Sequence, residues 1–318
     1  MSTQVDTDIA LPPRSRFHIG DLSLRLVSGL AAVSVFVVLV LIAYKVIDQA
    51  SAAISAFGLG FLTSTEWNAV TDQFGAADLI WGTVVTSAFA LILAVPIAIA
   101  IGLFLSELAP RRLRAPVGAL VELLAAIPSV VLGLWGILVM GPFLEQHVEP
   151  FLSDHFGFIP LFSGTPSNVG VLPACLVLTI MVVPIVASIS RELFDSVPGD
   201  LKQGSMALGS TRWEMVRSVA IPQVSGGLVA AVILGLARAL GEAIAVSQVI
   251  GNSLARPSSI FGSADTLASR IANQYQGAAT PLQASSLAYL AVILLVFSLV
   301  ANMSAQLIVR RIRRRMGV

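Results

Sequence analysis

The chain has 318 residues, of which 56% are hydrophobic and only 12% are charged, and its mean hydropathy is +0.88. An ordinary soluble domain carries about 25% charged residues, so this composition excludes a soluble globular enzyme and predicts a chain embedded in lipid. The formal net charge of +1 gives no reason to expect a nucleic-acid partner. The single cysteine, Cys175, excludes a disulfide framework and a multi-cysteine metal site.

Six apolar stretches are long enough to cross a bilayer, which takes about 20 helical residues. Backbone polar groups in lipid need partners within their own segment, so each stretch is predicted to be a helix. The predicted fold class is therefore an all-α membrane protein with six transmembrane helices. The stretches cover residues 26–47, 79–105, 117–144, 169–190, 224–250 and 285–309.

A cleaved signal peptide is the alternative for the first stretch, because basic residues precede it and the small residues Ala50 to Ala52 follow it. Its apolar run exceeds the roughly 7–15 residues of a signal peptide, and the leader contains three aspartates. A retained span is therefore favoured.

The basic residues indicate the orientation of the spans. Of the 19, 15 lie before the first span, between the second and third, between the fourth and fifth, or after the sixth. Short cytoplasmic loops carry the excess of Lys and Arg, so both termini are predicted to be cytoplasmic. The domains predicted are a cytoplasmic tail over residues 1–25, a permease domain over 26–309 with a cytoplasmic loop over 191–222, and a basic tail over 310–318. Aromatic and acidic residues in the outer loops, such as Phe61 and Phe74, predict interfacial anchoring and a surface for an external partner.

The fifth span contains Arg238 and Glu242, four residues apart and so on one helical face. Charges at this depth face a bundle interior or an aqueous cavity, which makes the pair either a structural ion pair or part of a substrate path. The planar fork of arginine suits a tetrahedral oxyanion, and a neighbouring carboxylate accepts a hydrogen bond from a protonated one. This combination favours hydrogen phosphate over sulfate. Glu122 and Ser129 of the third span are secondary candidates for the same path.

The loop over residues 191–222 is predicted to form two short helices. Asp200 is the expected N-cap of the first, and Gly209 can end it in a left-handed conformation. Thr211 followed by Glu214 fits a capping box that opens the second helix. The apolar positions of the second helix, predicted to form one face available to another protein, are Trp213, Val216, Val219 and Ala220.

The segment from Gln203 to Pro222 resembles the "EAA" loop of bacterial ABC importer permeases. The pattern Gln203-Gly204-Ser205-x3-Gly209-x9-Val219-x-Ile221-Pro222 matches E-A-A-x3-G-x9-I-x-L-P at its glycine and proline. The resemblance implies that the loop docks into a separate ATP-hydrolysing subunit. No G-x4-G-K-[ST] phosphate loop is present in the sequence, so the chain is expected to be no enzyme and to depend on a partner for ATP hydrolysis. The residues expected to serve this coupling are Gln203, Ala207, Gly209, Trp213 and Pro222.

Three longer stretches are similar to spans of the phosphate-specific transport (Pst) permeases, with length and first outer loop closer to the PstC branch than to PstA. They are IWGTVVTSAFALILAVPIAIAIGLFLSELAP, ELLAAIPSVVLGLWG and GLARALGEAIAVSQVIGN. This resemblance implies the type I ABC importer permease fold in a bacterial inner membrane. It also implies a PstA-like permease as heterodimer partner, a PstB-like ATPase pair that uses ATP and Mg, and an external PstS-like phosphate-binding protein. No cofactor is expected on this chain.

Two alternatives remain open from the residues. The first is a permease of the same fold for sulfate, molybdate or another oxyanion. The second is a secondary transporter or channel driven by an ion gradient, which six spans without an inverted repeat disfavour. A metal site at His147 and His155 is disfavoured because their spacing matches no standard zinc motif.

Overall fold

A computed structural model describes the backbone of residues 19–316, and the side chains of these except 19–21, 305 and 308–316. Most of the predicted N-terminal tail, with Arg14, Arg16 and His18, lies outside the described residues. The chain divides into two compact units, Met1–Asp48 and Gln49–Val318. In its described part the first unit consists of the beginning of one long helix, with an exposed Lys45–Asp48 ion pair of 3.6 Å.

The described residues are mainly helical, and six helices are long and apolar enough to cross a membrane. The predicted number of six spans is thereby confirmed. The helices described are α1 Ile19–Phe57, α2 Ala77–Leu108, α3 Arg111–Ala126, α4 Ser129–Phe156, α5 Val171–Asp195, α6 Gly199–Ala207, α7 Arg212–Gly241, α8 Ile244–Val249, α9 Leu267–Gln274 and α10 Pro281–Met316. The six long enough to cross a membrane are α1, α2, α4, α5, α7 and α10.

Short elements connect some of these helices. A two-stranded antiparallel hairpin, β1 Trp67–Asn68 and β2 Gln73–Phe74, lies between α1 and α2. Single 3-10 turns occupy Gly58–Leu62 and Pro160–Phe162. The helices α2, α4 and α7 contain π-turns, at Phe104–Leu108 in α2 and Val216–Ala220 in α7.

The prediction of one continuous third span over residues 117–144 was wrong. The helix α3 ends at Ala126, Ile127 is extended with ψ 126°, and α4 begins at Ser129 after Pro128. Proline lacks an N–H and disfavours helical backbone in the residue before it, so the chain breaks at this point. Pro96 and Pro184, in contrast, lie inside continuous helices.

The fifth predicted span, over residues 224–250, is also not one helix. The helix α7 ends at Gly241, Glu242 is extended with ψ 117°, and the short helix α8 begins at Ile244. The polypeptide therefore changes direction at the residue that carries the intramembrane carboxylate.

The helix α5 forms the centre of the bundle. Its most apolar window is 67% buried, the highest share among the membrane helices described. It packs along α2 on one side and along α7 on another, with small residues at the contacts. Alanines and glycines let membrane helices approach closely, and here they include Ala94 and Ala98 of α2, Ala187 of α5 and Ala231 and Gly235 of α7.

Aromatic residues between α1 and α2 belong to the packed interior of the second unit. Phe61 and Phe74 are buried, and the Phe61 ring stacks on Tyr289 of α10 at 4.6 Å between centroids. Trp67 meets Phe74 edge to face at 5.1 Å. Interfacial anchoring by Phe61 and Phe74 was therefore a wrong prediction, because neither ring is available to lipid headgroups.

A buried ion pair lies at the start of α9, where the sequence suggested only an outer loop. Arg270 Nη2 and Asp265 Oδ2 are 2.7 Å apart, and both side chains are almost fully buried. Burial raises the pKa of the Asp265 carboxyl, and the positive charge of Arg270 opposes that shift. Asn252, in the left-handed region, joins this cluster by accepting hydrogen bonds from Ser269 and Arg270. The cluster ties α9 to the segment that follows α8.

The close contact between Gly82 of α2 and the Asp265 backbone predicts how a substitution at Gly82 changes the stability of the fold. A Cβ atom on Gly82 would overlap the carbonyl oxygen of Asp265, whereas a Cβ on Gly29 meets nothing within 4 Å. We expect Gly82→Ala to destabilise the fold by about 1–3 kcal/mol, since backbone must move to admit the methyl group. Gly29→Ala serves as the matched control and should cause no loss of stability. Melting temperatures in detergent measure both, and equal values would contradict the packing described.

Candidate functional site

The break between α7 and α8 holds the predicted charge pair. Arg238 Nη2 lies 3.3 Å from Glu242 Oε2, and the Arg238 side chain is 46% exposed whereas that of Glu242 is 6% exposed. Glu242 Oε1 also accepts a hydrogen bond of 3.2 Å from the backbone N–H of Ala245. The carboxylate thus binds a free N–H at the start of α8 on one side and the guanidinium on the other. Part of the guanidinium remains free for a further ligand.

Close packing fixes the position of Arg238. One turn earlier, a Cβ on Gly235 would lie 2.9 Å from methyl groups of both Val182 and Val186 of α5, and 3.8 Å from Leu91 of α2. Only a glycine allows α7 to approach α5 this closely. The next residue after Arg238, Ala239, is buried in the same cluster. Arg238 is therefore attached to a rigid part of the bundle.

The beginning of α4 lies beside α8. A Cβ on Gly133 would lie 2.9 Å from Ala245 Cα and from Gln248 Oε1, so the two helices touch through a glycine. Ser129, half-buried at the start of α4, lies four residues before Gly133, and Ala245, which Gly133 contacts, lies three residues after Glu242. The N-terminus of α4 carries partial positive charge, which favours anions.

Glu122 lies in a different place. It lines a cleft of about 210 Å³ together with Arg191, Glu192 and Asp195, and neither Arg238 nor Glu242 belongs to that lining. The Arg191 guanidinium lies over Gly118 of α3 and 3.8 Å from Asp195 Oδ2. Three carboxylates surround one guanidinium, which is an environment that repels an anion. None of the other three candidate residues of the substrate path lines this cleft.

The loop after α5 forms the predicted hairpin. Gly209 has φ +92°, a left-handed conformation that ends α6 as expected. The capping box is also confirmed, since Thr211 Oγ1 accepts from the Glu214 N–H at 3.3 Å and Glu214 Oε2 accepts from the Thr211 N–H at 2.8 Å. The N-cap prediction was wrong, because α6 begins after Pro198 and places Asp200 in its first turn. Proline pre-sets the backbone at this end.

The exposed apolar surface of the hairpin differs from the prediction. Val216 and Ala220 are buried against Phe194 of α5, together with Met215, whereas Trp213 is 64% exposed. The predicted single face is split because a π-turn at Val216–Ala220 shifts the helical register. The second arm of the hairpin is not a separate helix but the first turns of α7, so Pro222 lies within it. Gln203, Ala207, Gly209, Trp213 and Pro222 are all exposed, and their large apolar neighbours on the surface are Leu201, Met206 and Leu208.

One group of charged residues was missed from the sequence. Lys202 Nζ of α6 lies 2.5 Å from Glu107 Oε1 at the end of α2, and both side chains are largely buried. In the sequence, Lys202 only contributed to the count of basic residues that sets the topology. No local spacing connects two residues that lie 95 positions apart.

Comparisons with known proteins identify the family. Residues 94–314 match the family described as "Binding-protein-dependent transport system inner membrane component". The chain belongs to this family of inner-membrane transport components. The match covers α4, α5, the hairpin, both parts of the broken fifth span and most of α10.

Relatives of this permease share about two fifths of its residues. It is 42% identical to "Phosphate transport system permease protein PstC" of Mesorhizobium japonicum, over 95% of this chain and 94% of the relative. The protein of the same name from Pasteurella multocida is 40% identical, over 99% and 98%. "Phosphate transport system permease protein PstC 1" of Mycobacterium tuberculosis is 41% identical, over 92% and 94%. The permease is thus PstC-like along almost its whole length.

Solved structures share the fold. A chain of the bacterial alginate ABC transporter, in complex with an alginate-bound periplasmic protein, matches with a TM-score of 0.62 and 17% identity, over 92% of this permease and 97% of that chain. A chain of the inward-facing MetNI methionine ABC transporter matches with a TM-score of 0.56 and 22% identity, over 74% and 94%. The permease therefore has the ABC importer permease fold and is a multi-pass protein of the bacterial inner membrane.

The geometry of α7 predicts which side chains water-soluble reagents reach. Arg238 is half-exposed, whereas its neighbour Ala239 is 4% exposed. We expect a cysteine in Arg238→Cys to react with a small polar maleimide at least about tenfold faster than one in Ala239→Cys, because burial hinders access to the thiol. The native Cys175 is buried and contributes little background. Labelling rates of the purified variants measure the difference, and equal rates would mean that Arg238 does not face an aqueous space.

Proposed function

We propose that this chain is the permease subunit of an ATP-driven phosphate importer. The half-exposed Arg238, paired with the buried Glu242 at the break of the fifth span, is the observation that carries the proposal. Relatives named as PstC phosphate permeases, about 40% identical over almost the full length, support phosphate as the cargo. The chain provides the path through the membrane, and a partner hydrolyses ATP.

The exposure of Arg238 supports a path shared with a second permease. A charged side chain that faces lipid near the bilayer centre is costly, so such residues face a cavity or a partner. Within this chain nearly half of the Arg238 side chain remains uncovered. A second, PstA-like permease placed against this face would complete an aqueous path, with Arg238 on its wall. The heterodimer thus explains why the charge is exposed in one subunit.

The pair also suits the chemistry of phosphate. The fork of the Arg238 guanidinium can donate two parallel hydrogen bonds to phosphate oxygens. We assign a further hydroxyl contact to Ser129, one turn before the contact of Gly133 with α8. Glu242 carries a negative charge that repels a fully ionised anion and accepts a hydrogen bond from a protonated one. Inorganic phosphate still carries at least one proton at neutral pH, because its last ionisation lies far above pH 7, whereas sulfate is fully ionised. Discrimination against sulfate follows from this carboxylate.

Coupling to ATP is assigned to the hairpin. We assign to its exposed residues the contact with a groove of a PstB-like ATPase on the cytoplasmic side, where ATP and Mg bind to that partner. These residues are Gln203, Ala207, Gly209, Trp213 and Pro222. Both termini of the chain are then cytoplasmic. The opposite face, with α9 and the buried Asp265–Arg270 pair, receives phosphate from a PstS-like external protein.

The substrate path is tested by Arg238→Ala in the complete complex, reconstituted in liposomes with ATP inside the compartment that holds the ATPase. Loss of a charge-assisted contact costs about 1.5–3 kcal/mol, so we expect phosphate uptake to fall about 10- to 100-fold. The complex should still assemble and bind ATP. Uptake of radioactive phosphate, with and without excess sulfate, is the measurement.

The control is Arg25→Ala, which removes an exposed arginine of α1, outside the fifth span and the hairpin. Unaltered phosphate uptake in Arg238→Ala would refute the site. Strong competition by sulfate would favour the other oxyanions, and uptake by the chain without ATP would favour a secondary transporter.

The coupling hairpin is tested by Gly209→Asp. The left-handed backbone at Gly209 penalises a side chain by about 1 kcal/mol, and the added carboxylate lies on the surface that docks into the ATPase. We expect ATP-dependent phosphate uptake to be lost, either because the ATPase fails to dock or because it hydrolyses ATP without transport. A bulky residue in place of Ala207 should have the same effect on uptake. Gly204→Ala, in the same hairpin with open space around it, should remain active. Normal transport by Gly209→Asp would contradict the coupling role.

A further inference from the structure

The hairpin is fastened to the membrane helices through one lysine. Lys202 Nζ contacts Glu107 Oε1 at 2.5 Å and donates a hydrogen bond of 2.9 Å to the backbone carbonyl of Phe194. Glu107 lies at the end of α2 and Phe194 near the end of α5. The Lys202 side chain is 16% exposed and that of Glu107 13%. The Lys202 side chain of α6 therefore contacts the ends of both α2 and α5.

The ends of α2 and α5 are themselves joined. Ser106, next to Glu107, donates a hydrogen bond of 2.6 Å to Asp195 Oδ1 at the end of α5. Beside these contacts, a cavity of about 270 Å³ lies under the hairpin, lined by Gly199, Gln203 and Arg212 among others. Because this space leaves α6 incompletely packed, the position of α6 relative to α2 depends strongly on Lys202.

A continuous packed route leads from these helix ends to Arg238. The helices α2 and α5 pack along each other for most of their length. At the level of Gly235, both contact α7, through Leu91 of α2 and through Val182 and Val186 of α5. Arg238 lies one turn beyond this contact. A displacement of α6 therefore reaches the charge pair if Lys202 holds the ends of α2 and α5.

We propose that the Lys202–Glu107 ion pair is the joint that transmits movement of the α6 hairpin arm to the Arg238–Glu242 site. The proposal rests on the proposed function for the identity of the cargo and of the ATPase. Desolvation offsets much of the Coulomb attraction of a buried ion pair, so such a pair contributes little to stability and much to fixed geometry. Lys202 and Glu107 are positioning residues, since neither belongs to the site that faces phosphate. Without Lys202 and Glu107, a displacement of α6 would remain local and would not reach the membrane helices.

The test compares complexes that carry a reporter, Ser129→Cys, at the start of α4. Maleimide labelling of this cysteine is measured with and without a non-hydrolysable ATP analogue, and phosphate uptake and ATP hydrolysis are measured in parallel on complexes that keep Ser129. With Lys202 and Glu107 intact, we expect the analogue to change the labelling rate about 5-fold or more. The double variant Lys202→Met/Glu107→Gln, which leaves no single buried charge behind, should lose most of this change. It should keep ATP hydrolysis but lose most uptake.

Two further variants make the test specific. Lys202→Arg retains the charge and should keep the nucleotide-dependent labelling. Lys45→Met/Asp48→Asn removes an exposed ion pair of 3.6 Å in α1 and should leave the labelling and coupling unchanged. A response of the Lys202→Met/Glu107→Gln complex equal to that of the reference would overturn the proposal. So would its failure to bind the ATPase, because the pair would then serve docking.

The outcomes also separate this proposal from the proposed function. If the reporter complex responds to the nucleotide but a complex that keeps Ser129 takes up no phosphate, the cargo is refuted, while the comparison of labelling rates still decides the role of the Lys202–Glu107 pair. If the labelling rate of the reference complex does not change with the nucleotide, the proposed role of the Lys202–Glu107 pair is overturned, because there is no movement to transmit.

Discussion

The cost of a charge inside the bilayer is the constraint on which the structure of this permease depends. A guanidinium at the depth of Arg238 needs an anion and an aqueous or protein environment. Glu242 supplies the anion, and it does so from an extended residue between two helices, where it also binds a free backbone N–H of α8. The break in the fifth span is therefore part of the compensation: it creates the N–H that holds the carboxylate, and the carboxylate holds the arginine.

Glycine at two points makes this arrangement compatible with tight packing. Gly235 brings α7 against α5 one turn before Arg238, and Gly133 brings α4 against α8 just beyond Glu242. Both contacts use the absence of a side chain, which is how membrane helices gain attraction without a hydrophobic effect between them. The charge pair is thus supported on both sides of the break, and its geometry is fixed before any ligand arrives.

Local patterns in the sequence predicted much of the fold and half of the site. Hydropathy gave six spans, and the four-residue spacing gave the Arg238–Glu242 pair, because both are properties of one helix. Gly209 and the Thr211–Glu214 capping box were predictable for the same reason. The break at Pro128 was not, since Pro96 and Pro184 have the same local chemistry yet lie in continuous helices, with neighbours that decide the outcome. Lys202–Glu107 and Asp265–Arg270 depend on tertiary contacts, and a hydropathy count treats their members as ordinary loop charges.

The helix α7 connects the hairpin directly to the Arg238–Glu242 pair. It begins in the hairpin at Arg212 and ends at Gly241 beside the charge pair, a length of 30 residues or about 45 Å at 1.5 Å per residue. A rigid rod of this kind would be enough to carry movement to Arg238. The π-turn at Val216–Ala220, however, interrupts the regular hydrogen bonding close to the hairpin, where the rod is most easily bent. The contact of Lys202 with the Phe194 carbonyl bypasses this turn, because it acts on α5, which meets α7 again at Gly235. Glu107, in contrast, lies within the π-turn that ends α2. Two arms of one hairpin thus converge on the same turn of α7, and the α6 arm depends on the contacts of Lys202 with Glu107 and Phe194.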